Sequence, residues 1–225
     1  MRRVRYSVAM SLDGYIAGPK GEYDWIPMDP DIDFGALFKE FDTRLMGRKS
    51  WDEARKAQAS GAPTMDMPTY VFSRTLRQSD VPGAIVSNDP KQTVTELKRL
   101  HGRDIWLWGG GELFQSMLDL DLVDAVELAI VPVLLGKGLR MLPAARKMAQ
   151  LKLVKHRVYP KTGTLMLAYA VKYLYLIATS EVRSQPLRRS RSATGINRER
   201  SSAWSRATRV AISILRPALP SNHAA

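Results

Sequence analysis

Short apolar segments alternate with glycine-containing turns and amphipathic helices over the first half of the chain, and this alternation constrains the fold most. Residues 4–10 and 43–46 read as buried strands, the second running through a glycine turn into a predicted helix that ends near Ala59. Residues 104–108 form a strongly apolar strand before a triple glycine and a helix over 112–118. Strands that alternate with helices predict an α/β sheet with mainly parallel neighbours.

The remaining elements complete one sheet. The apolar spacing from Ile32 to Phe41 predicts a helix, and Ser50 with Glu53 predicts a capping box for the helix that follows. Further strands are expected over 69–73 and 84–87, with a helix over 91–100. Segments 125–133, 151–159 and 164–173 follow one another through turns, which predicts antiparallel strands. We therefore expect one mixed, mainly parallel sheet flanked by helices, with antiparallel strands at its C-terminal end.

Charge divides the chain into two parts. Of the net charge of +12, residues 176–225 contribute +7 through nine arginines and two glutamates, so the body is only mildly basic. We predict a folded domain over 1–175 and a basic extension without fixed structure over 176–225. Such an extension could contact nucleic acid weakly. The longest apolar stretch, 165–178, is interrupted by Lys172 and is shorter than the roughly 18 residues that span a bilayer, so we expect a cytoplasmic protein with no membrane contact.

The chain contains no cysteine. This excludes a disulfide scaffold, a thiolate zinc site, an iron–sulfur cluster and a cysteine nucleophile. The histidines His101, His156 and His223 are scattered along the chain, and we expect no metal site.

Two predicted strand-to-helix junctions combine glycine with polar or charged residues. They are Gly47-Arg48-Lys49-Ser50 and Gly109-Gly110-Gly111-Glu112. Glycine lets an anion approach the backbone, and the free N–H groups of a helix start attract phosphate. Arg48 and Lys49 suit a phosphomonoester such as the 2′-phosphate of NADP. The alternative is that the glycines serve only their turns, since neither junction fits the Rossmann or Walker A pattern.

Polar residues end two other strands. Ser73-Arg74-Thr75 could contact the same phosphates, or could form a capped loop with a solvated arginine. Asp13, before Gly14, could orient a substrate, or could belong to an ordinary turn. Asp31 and Asp33, with Asp29, precede the first helix, where carboxylates also favour the helix dipole.

Four ordered motifs carry a family resemblance. They are VAMSLDGYIAG at 8–18, LMGRKSWDEA at 45–54, FSRTL at 72–76, and the segment from WLWGGGELF to GKG at 106–138. Over residues 2–173 the chain is similar to the dihydrofolate reductase superfamily, and specifically resembles the riboflavin-biosynthesis reductases of the RibD C-terminal domain family. The resemblance implies the dihydrofolate reductase-like fold, NADPH as the cofactor, hydride transfer to a small-molecule substrate, and a homodimer.

The resemblance also implies roles for individual residues. Ala9 and Ile16 would border the nicotinamide. The adenosine-side phosphates would meet Gly47, Arg48, Lys49 and Ser50; the adenosine ribose-phosphate would meet Ser73, Arg74 and Thr75; and the pyrophosphate would meet Gly109, Gly110, Gly111, Glu112 and Leu113.

On the substrate side, the resemblance places Asp13 near the reacting centre and makes Asp31 or Asp33 the proton partner. The implied reaction is reduction of a heterocyclic or ribosylamino-pyrimidine-type substrate, as by 5-amino-6-(5-phosphoribosylamino)uracil reductase. The zinc deaminase signature that often accompanies this reductase is absent from the sequence. The alternatives are dihydrofolate reduction itself, or a non-catalytic nucleotide- or RNA-binding protein on the same fold.

Overall fold

The structure is a computed structural model that describes residues 1–61, 65–143 and 148–173. Its strands are β1 (Val4–Ser11), β2 (Tyr15–Ala17), β3 (Phe41–Gly47), β4 (Thr69–Phe72), β5 (Ile85–Ser87), β6 (Asp104–Gly109), β7 (Ala125–Val131), β8 (Leu139–Arg140), β9 (Gln150–Tyr159) and β10 (Thr164–Lys172). Its α-helices are α1 (Phe34–Phe38), α2 (Arg48–Ala59), α3 (Pro90–Arg99) and α4 (Gly111–Asp119). A 3₁₀ turn covers Gln78–Asp80.

Eight strands form one sheet in the order β5-β4-β3-β6-β1-β7-β10-β9. The strands from β5 to β7 are parallel, whereas β10 is antiparallel to both β7 and β9. This confirms the predicted mixed, mainly parallel sheet. Residues 125–133 were expected to begin the antiparallel part of the sheet. The antiparallel pairing of β7 with β10 confirms this, whereas the pairing of β7 with β1 is parallel.

The main core lies on one face of this sheet. Tyr6, Leu45 and Leu107 are fully buried there and pack with Phe114 and Met117 of α4. A second cluster, on Met46, Trp51 and Val71, covers part of the other face. Because both faces of the central strands are covered, those strands are almost continuously apolar in sequence. The side chain of Trp106 is buried, as expected of a large apolar residue on such a strand.

The small sheet formed by β2 and β8 escaped the sequence analysis. Tyr15 pairs with Arg140 and Ala17 with Leu139, and the Met141 N–H donates to the Gly14 carbonyl at 3.0 Å. Strands of two or three residues are too short to show a period-2 pattern. This pairing places β8, which follows β7 in the chain, beside the residues that follow β1.

Helix starts fall into two kinds. Asp33 caps α1 by accepting from the Ala36 N–H, and Asp89 caps α3 by accepting from the Gln92 N–H. By contrast, α2 and α4 follow Gly47 and Gly110 and have no side-chain cap. The predicted Ser50–Glu53 capping box is therefore wrong.

The first predicted helix is also shorter than expected. It ends at Phe38, and Phe41 begins β3 as a buried strand residue. Phe41 stands at helical spacing from the apolar residues before it, but it belongs to β3, where its side chain packs on Trp106 of β6.

The predicted extension over 176–225 lies outside the described residues, and its prediction stays a prediction. Within the described ranges, no helix has the length and apolarity to cross a membrane.

Candidate cofactor and substrate site

Two glycine turns meet at one edge of the sheet. The strands β3 and β6 are parallel neighbours, and Met46 of β3 pairs with Gly109 of β6. Gly47, which follows Met46, therefore lies beside the glycine triplet at the carboxyl ends of the two strands. A Cβ atom placed on Gly47 would lie 3.8 Å from the Gly109 carbonyl oxygen and 4.0 Å from the Gly110 nitrogen. A Cβ on Gly110 would lie 3.5 Å from the Ser50 hydroxyl. The structure thus brings together the two junctions that the sequence singled out.

Both helices that start at these turns point uncapped N-termini at this edge. The first-turn N–H groups of a helix need an acceptor, and a side-chain oxygen usually supplies it. Asp residues do so for α1 and α3, but no side chain does so for α2 or α4. Free N–H groups at two adjacent helix starts are suited to phosphate oxygens. The residues present therefore fit a pyrophosphate-containing cofactor.

Two basic side chains lie at the turns, and Arg48 also has the Asp52 carboxylate 3.7 Å away. The Arg48 guanidinium donates to the Thr75 hydroxyl at 3.2 Å, and half of the Arg48 side chain stays exposed. The Ser73 hydroxyl accepts from the N–H groups of Thr75 and Leu76. These contacts join the loop after β4 to the start of α2. Lys49 and Glu112 approach to 3.6 Å on the exposed side of the two helix starts.

A cavity of about 440 Å³ opens next to this cluster, between the ends of β4 and β5 and the start of α3. Ser73 and Arg74 line it on one side, and Ser87, Asn88 and Gln92 on the other. The sequence analysis missed the second group. Its signal was the Ser87-Asn88-Asp89-Pro90 junction, another polar strand-to-helix turn.

The predicted nicotinamide residues lie on β1 and β2. Ala9 is a half-buried residue of β1 that pairs with Ala129 of β7, and Ile16 is half-buried in β2. Ala9 shares its sheet face with Ser7, Glu127 and Ala129, so this part of the face carries mostly small side chains. Small residues leave room for a ring against the sheet.

An aromatic row borders this small-residue floor. Phe38 of α1 stacks on Trp106 at 5.3 Å between ring centroids, and Trp106 contacts Trp108 at 4.7 Å. The Trp106 indole N–H donates to the Ser7 carbonyl at 3.2 Å, which fixes the row beside β1. Trp108 is half-buried and directly precedes Gly109.

Glu127 is the acidic residue of this face that sequence analysis overlooked. Its carboxylate receives two hydrogen bonds from Arg5, at 2.8 and 2.9 Å, and its side chain is 15% exposed. The signal was a single carboxylate within the apolar run of β7. Desolvation opposes the charge on Arg5, but hydrogen bonds to Glu127 and Glu40 outweigh it and raise the Arg5 pKa.

Asp13 is the most connected of the three predicted catalytic carboxylates. It accepts from the Ser11 hydroxyl at 2.7 Å and from the N–H groups of Leu135 and Gly136 at 3.1 and 2.7 Å. The Ser11 hydrogen bond, aided by the two backbone N–H groups, lowers the Asp13 pKa. Asp13 thereby ties the loop after β7 to the end of β1. Its catalytic role stays a prediction.

Asp31 and Asp33 lie at the entrance to α1, as expected. Asp31 pairs with Lys161 at 2.8 Å, and Asp33 uses one oxygen to cap α1. Neighbouring Asp29 is buried and accepts from the Thr162 hydroxyl at 2.7 Å. Desolvation alone would raise the Asp29 pKa, but hydrogen bonds from Thr162 and from the Asp31 N–H lower it.

The glycine triplet has two further features. The Gly109–Gly110 peptide bond is cis, and Gly109 has a φ of +119°. Leu113 belongs to the apolar core, so only its backbone is available to a cofactor. Among the described residues, no group of three or more His, Asp or Glu side chains could hold a metal ion.

Comparisons with known proteins identify the family of this chain. The family model for the RibD C-terminal domain matches residues 2–165. The uncharacterized protein YyaP of Bacillus subtilis (strain 168) is 34% identical over 178 residues, which cover 75% of this chain and 94% of YyaP. The uncharacterized protein YwjB of the same strain is 26% identical over 181 residues, covering 79% of this chain and 99% of YwjB.

Two solved structures share the fold. A Shewanella sp. PV-4 protein provisionally assigned to riboflavin biosynthesis superposes with a TM-score of 0.66 and 24% identity, covering 77% of this chain and all of that one. The Thermotoga maritima diaminohydroxyphosphoribosylaminopyrimidine deaminase/5-amino-6-(5-phosphoribosylamino)uracil reductase superposes with a TM-score of 0.55 and 17% identity, covering 75% and 56%. The sheet order, the paired glycine turns and the family match together show that this chain belongs to the RibD C-terminal domain family, with a dihydrofolate reductase-like fold.

Proposed function

We propose that this protein is an NADPH-dependent reductase that transfers hydride to a small heterocyclic or ribosylamino-pyrimidine-type substrate. The observation that carries the proposal is the pair of uncapped helix starts, α2 and α4, which lie next to each other at Gly47 and Gly110. The reductase-type fold of the family supports it.

The positive charges determine which cofactor fits. Backbone N–H groups at Gly110 and Gly111 would hold the pyrophosphate, and the cavity beside Ser73 and Arg74 would receive the adenosine. Arg48, with Thr75, would hold the 2′-phosphate that distinguishes NADPH from NADH. NADPH supplies the hydride when it is bound.

The protein's own residues would orient the substrate. Ser7, Ala9 and Ala129 form a flat floor, and the Phe38–Trp106–Trp108 row provides a wall against which a planar ring can stack. Asp13 accepts from the N–H groups of Leu135 and Gly136 and so holds this loop against the end of β1, where it would position a substrate. Asp31 and Asp33 are the proposed proton partners, on the α1 side.

The first test measures cofactor preference through tryptophan fluorescence. We expect a bound nucleotide to quench the tryptophan fluorescence, since Trp108 directly precedes the glycine triplet. NADPH should do so at a lower concentration than NADH, because only NADPH carries the 2′-phosphate. Arg48→Ala should weaken NADPH binding about 10- to 100-fold, because a charge-assisted hydrogen bond contributes roughly 1.5–3 kcal/mol. Its effect on NADH should be small, since NADH has no 2′-phosphate.

The matched control is Arg55→Ala. Arg55 is an exposed arginine of the same helix, distant from the helix start, so its loss removes the same charge without touching the turn. Equal losses of NADPH affinity in both variants would contradict the Arg48 role. No saturable binding of either nucleotide by folded wild-type protein would overturn the cofactor proposal.

The second test measures turnover. With NADPH bound, ribosylamino-pyrimidines are the first substrates to screen, and dihydrofolate with methotrexate is the comparison. Oxidation of NADPH only with dihydrofolate, and its inhibition by methotrexate, would replace the proposed substrate class.

A further inference from the structure

The Arg48 guanidinium has two polar neighbours at the start of α2. One of its terminal nitrogens, Nη1, donates to the Thr75 hydroxyl at 3.2 Å, and its Nε lies 3.7 Å from a carboxylate oxygen of Asp52. About half of each charged side chain is exposed, 54% for Arg48 and 50% for Asp52. A ligand that reaches the exposed part of the Arg48 guanidinium therefore also comes close to the Asp52 carboxylate.

The Arg48–Asp52 ion pair is loose. Its 3.7 Å separation is longer than a hydrogen bond, whereas Lys56 and Glu53 of the same helix are joined at 2.7 Å. Exposed ion pairs of this kind contribute little to stability, because both groups keep most of their water. The Asp52 carboxylate is therefore free to act on a ligand rather than only on Arg48.

A carboxylate at this position affects the two nicotinamide nucleotides in opposite ways. It repels a phosphate that binds the neighbouring guanidinium, because both groups are negative. It also accepts a hydrogen bond from a ribose 2′-hydroxyl, which is the usual role of an acidic residue in sites for NAD. Arg48 thus favours the 2′-phosphate of NADPH, and Asp52 favours the 2′-hydroxyl of NADH.

We propose that Asp52 is a specificity-determining residue of the cofactor site. It opposes the 2′-phosphate of NADPH and accepts from the 2′-hydroxyl of NADH, so the chain discriminates between the two less strongly than Arg48 alone would allow. The inference rests on the proposed NADPH site and adds to it a residue that limits the preference for that cofactor.

The test compares the dissociation constants of NADPH and NADH for wild type and Asp52→Asn, by titration of tryptophan fluorescence. Asparagine has almost the same size as aspartate and lacks its charge. NADPH should bind about 3- to 10-fold more tightly to the variant, because the repulsion is lost. NADH should bind with the same affinity or more weakly, because its 2′-hydroxyl loses a charged acceptor.

The matched control is Glu53→Gln. Glu53 is the next residue of α2, its side chain is 65% exposed, and its carboxylate bonds to Lys56 rather than to Arg48. Its loss removes the same charge from the same helix and should leave both dissociation constants unchanged. If Glu53→Gln tightens NADPH binding as much as Asp52→Asn does, the effect belongs to the overall charge of the chain and the proposal is overturned.

Salt gives a second readout. The screening length falls from about 10 Å at 0.1 M salt to about 3 Å at 1 M. The gain in NADPH affinity of Asp52→Asn over wild type should therefore shrink at the higher concentration. A gain of the same size at 1 M salt would come from a change of shape at the site and would reject a role for the charge.

The direction of the change separates the proposal from its alternatives. Weaker NADPH binding by folded Asp52→Asn would make Asp52 a residue that positions Arg48, and would overturn the inference. Wild-type binding with an unchanged ratio of the two dissociation constants in Asp52→Asn would reject this inference alone. Absence of saturable binding of either nucleotide by folded wild-type protein would overturn the proposed function, and the inference with it.

Discussion

Tyr6 carries the one buried side-chain polar atom in the described part of the chain that lacks a hydrogen-bond partner. Its ring stacks on Phe114 at 4.0 Å, and burial raises the pKa of the phenol. A buried hydroxyl without a partner keeps its desolvation cost, so Tyr6→Phe should raise the free energy of unfolding by about 1 kcal/mol. Urea denaturation measures this change.

The control for Tyr6 is Tyr23→Phe. Tyr23 is 65% exposed, so its hydroxyl is hydrated in both states and its removal should leave stability unchanged. A loss of stability in Tyr6→Phe would show that the Tyr6 hydroxyl has a partner in solution, and the glycine turn beside it would be the place to look.

Asp13 predicts a specific acid dependence. Its pKa is lowered from an ordinary value of 3.8 in the folded protein, so its contribution to stability is complete above pH 3.8 and is lost as the pH falls towards the lower folded value. Asp13→Asn removes this charge and places an amide group where a carboxylate oxygen accepts from the Gly136 N–H. We expect wild type to be more stable at neutral pH, with the difference shrinking below pH 3.8.

Urea titrations of both proteins across this range test the role. The comparison with Asp13→Asn isolates Asp13 from Asp29 and Asp104, whose pKa values are also lowered. A difference that stays constant down to the lowest pH would contradict the contribution of the ionised carboxylate. Turnover at neutral pH separately tests the predicted catalytic role.

At the scale of elements, backbone atoms of residues 140 and 141 pack closely against the start of α4. A Cβ atom on Gly111 would lie 2.8 Å from the Met141 carbonyl oxygen and closer still to that of Arg140, both backbone atoms beside β8. Gly111→Ala should therefore destabilise the fold by roughly 1–3 kcal/mol. Gly110→Ala, with only the Ser50 hydroxyl at 3.5 Å, should fold normally but bind NADPH more weakly.

Thermal unfolding and NADPH titration of these adjacent variants separate packing from binding. The prediction requires that the two variants fail in different measurements. If Gly110→Ala folds and binds NADPH as wild type does, the pyrophosphate does not approach the backbone there.

Elements with a long apolar pattern were predictable, as was the start of α4 to within one residue, but the start of α2 was not. Residues 104–108 and 164–173 were predicted nearly as β6 and β10 occur, because burial imposes their composition. The Ser50–Glu53 pattern resembled a capping box, yet α2 begins at Arg48. Sequence rules expect a side chain to satisfy the first-turn N–H groups, and at α2 no side chain does so.

At the scale of the whole molecule, the order of the sheet explains what was predictable about the site. Parallel strands gather their carboxyl ends at one edge, so the polar residues after β3, β4 and β6 were expected on the same edge once a parallel sheet was recognised. The cavity at Ser87 and the Arg5–Glu127 pair depend on which strands are neighbours. Sequence patterns do not contain that order, since strands adjacent in the sheet are far apart in the chain.

The central position of β1 has a consequence for biosynthesis. Val4 pairs with Ile105 of β6, and Arg5 pairs with Ala125 of β7, so the earliest strand to be translated has partners that are translated late. At about 5–20 residues per second, roughly 6 to 25 seconds separate β1 from the end of β7 on the ribosome. During that interval an apolar strand is exposed on the nascent chain, where it is a natural site for chaperone binding.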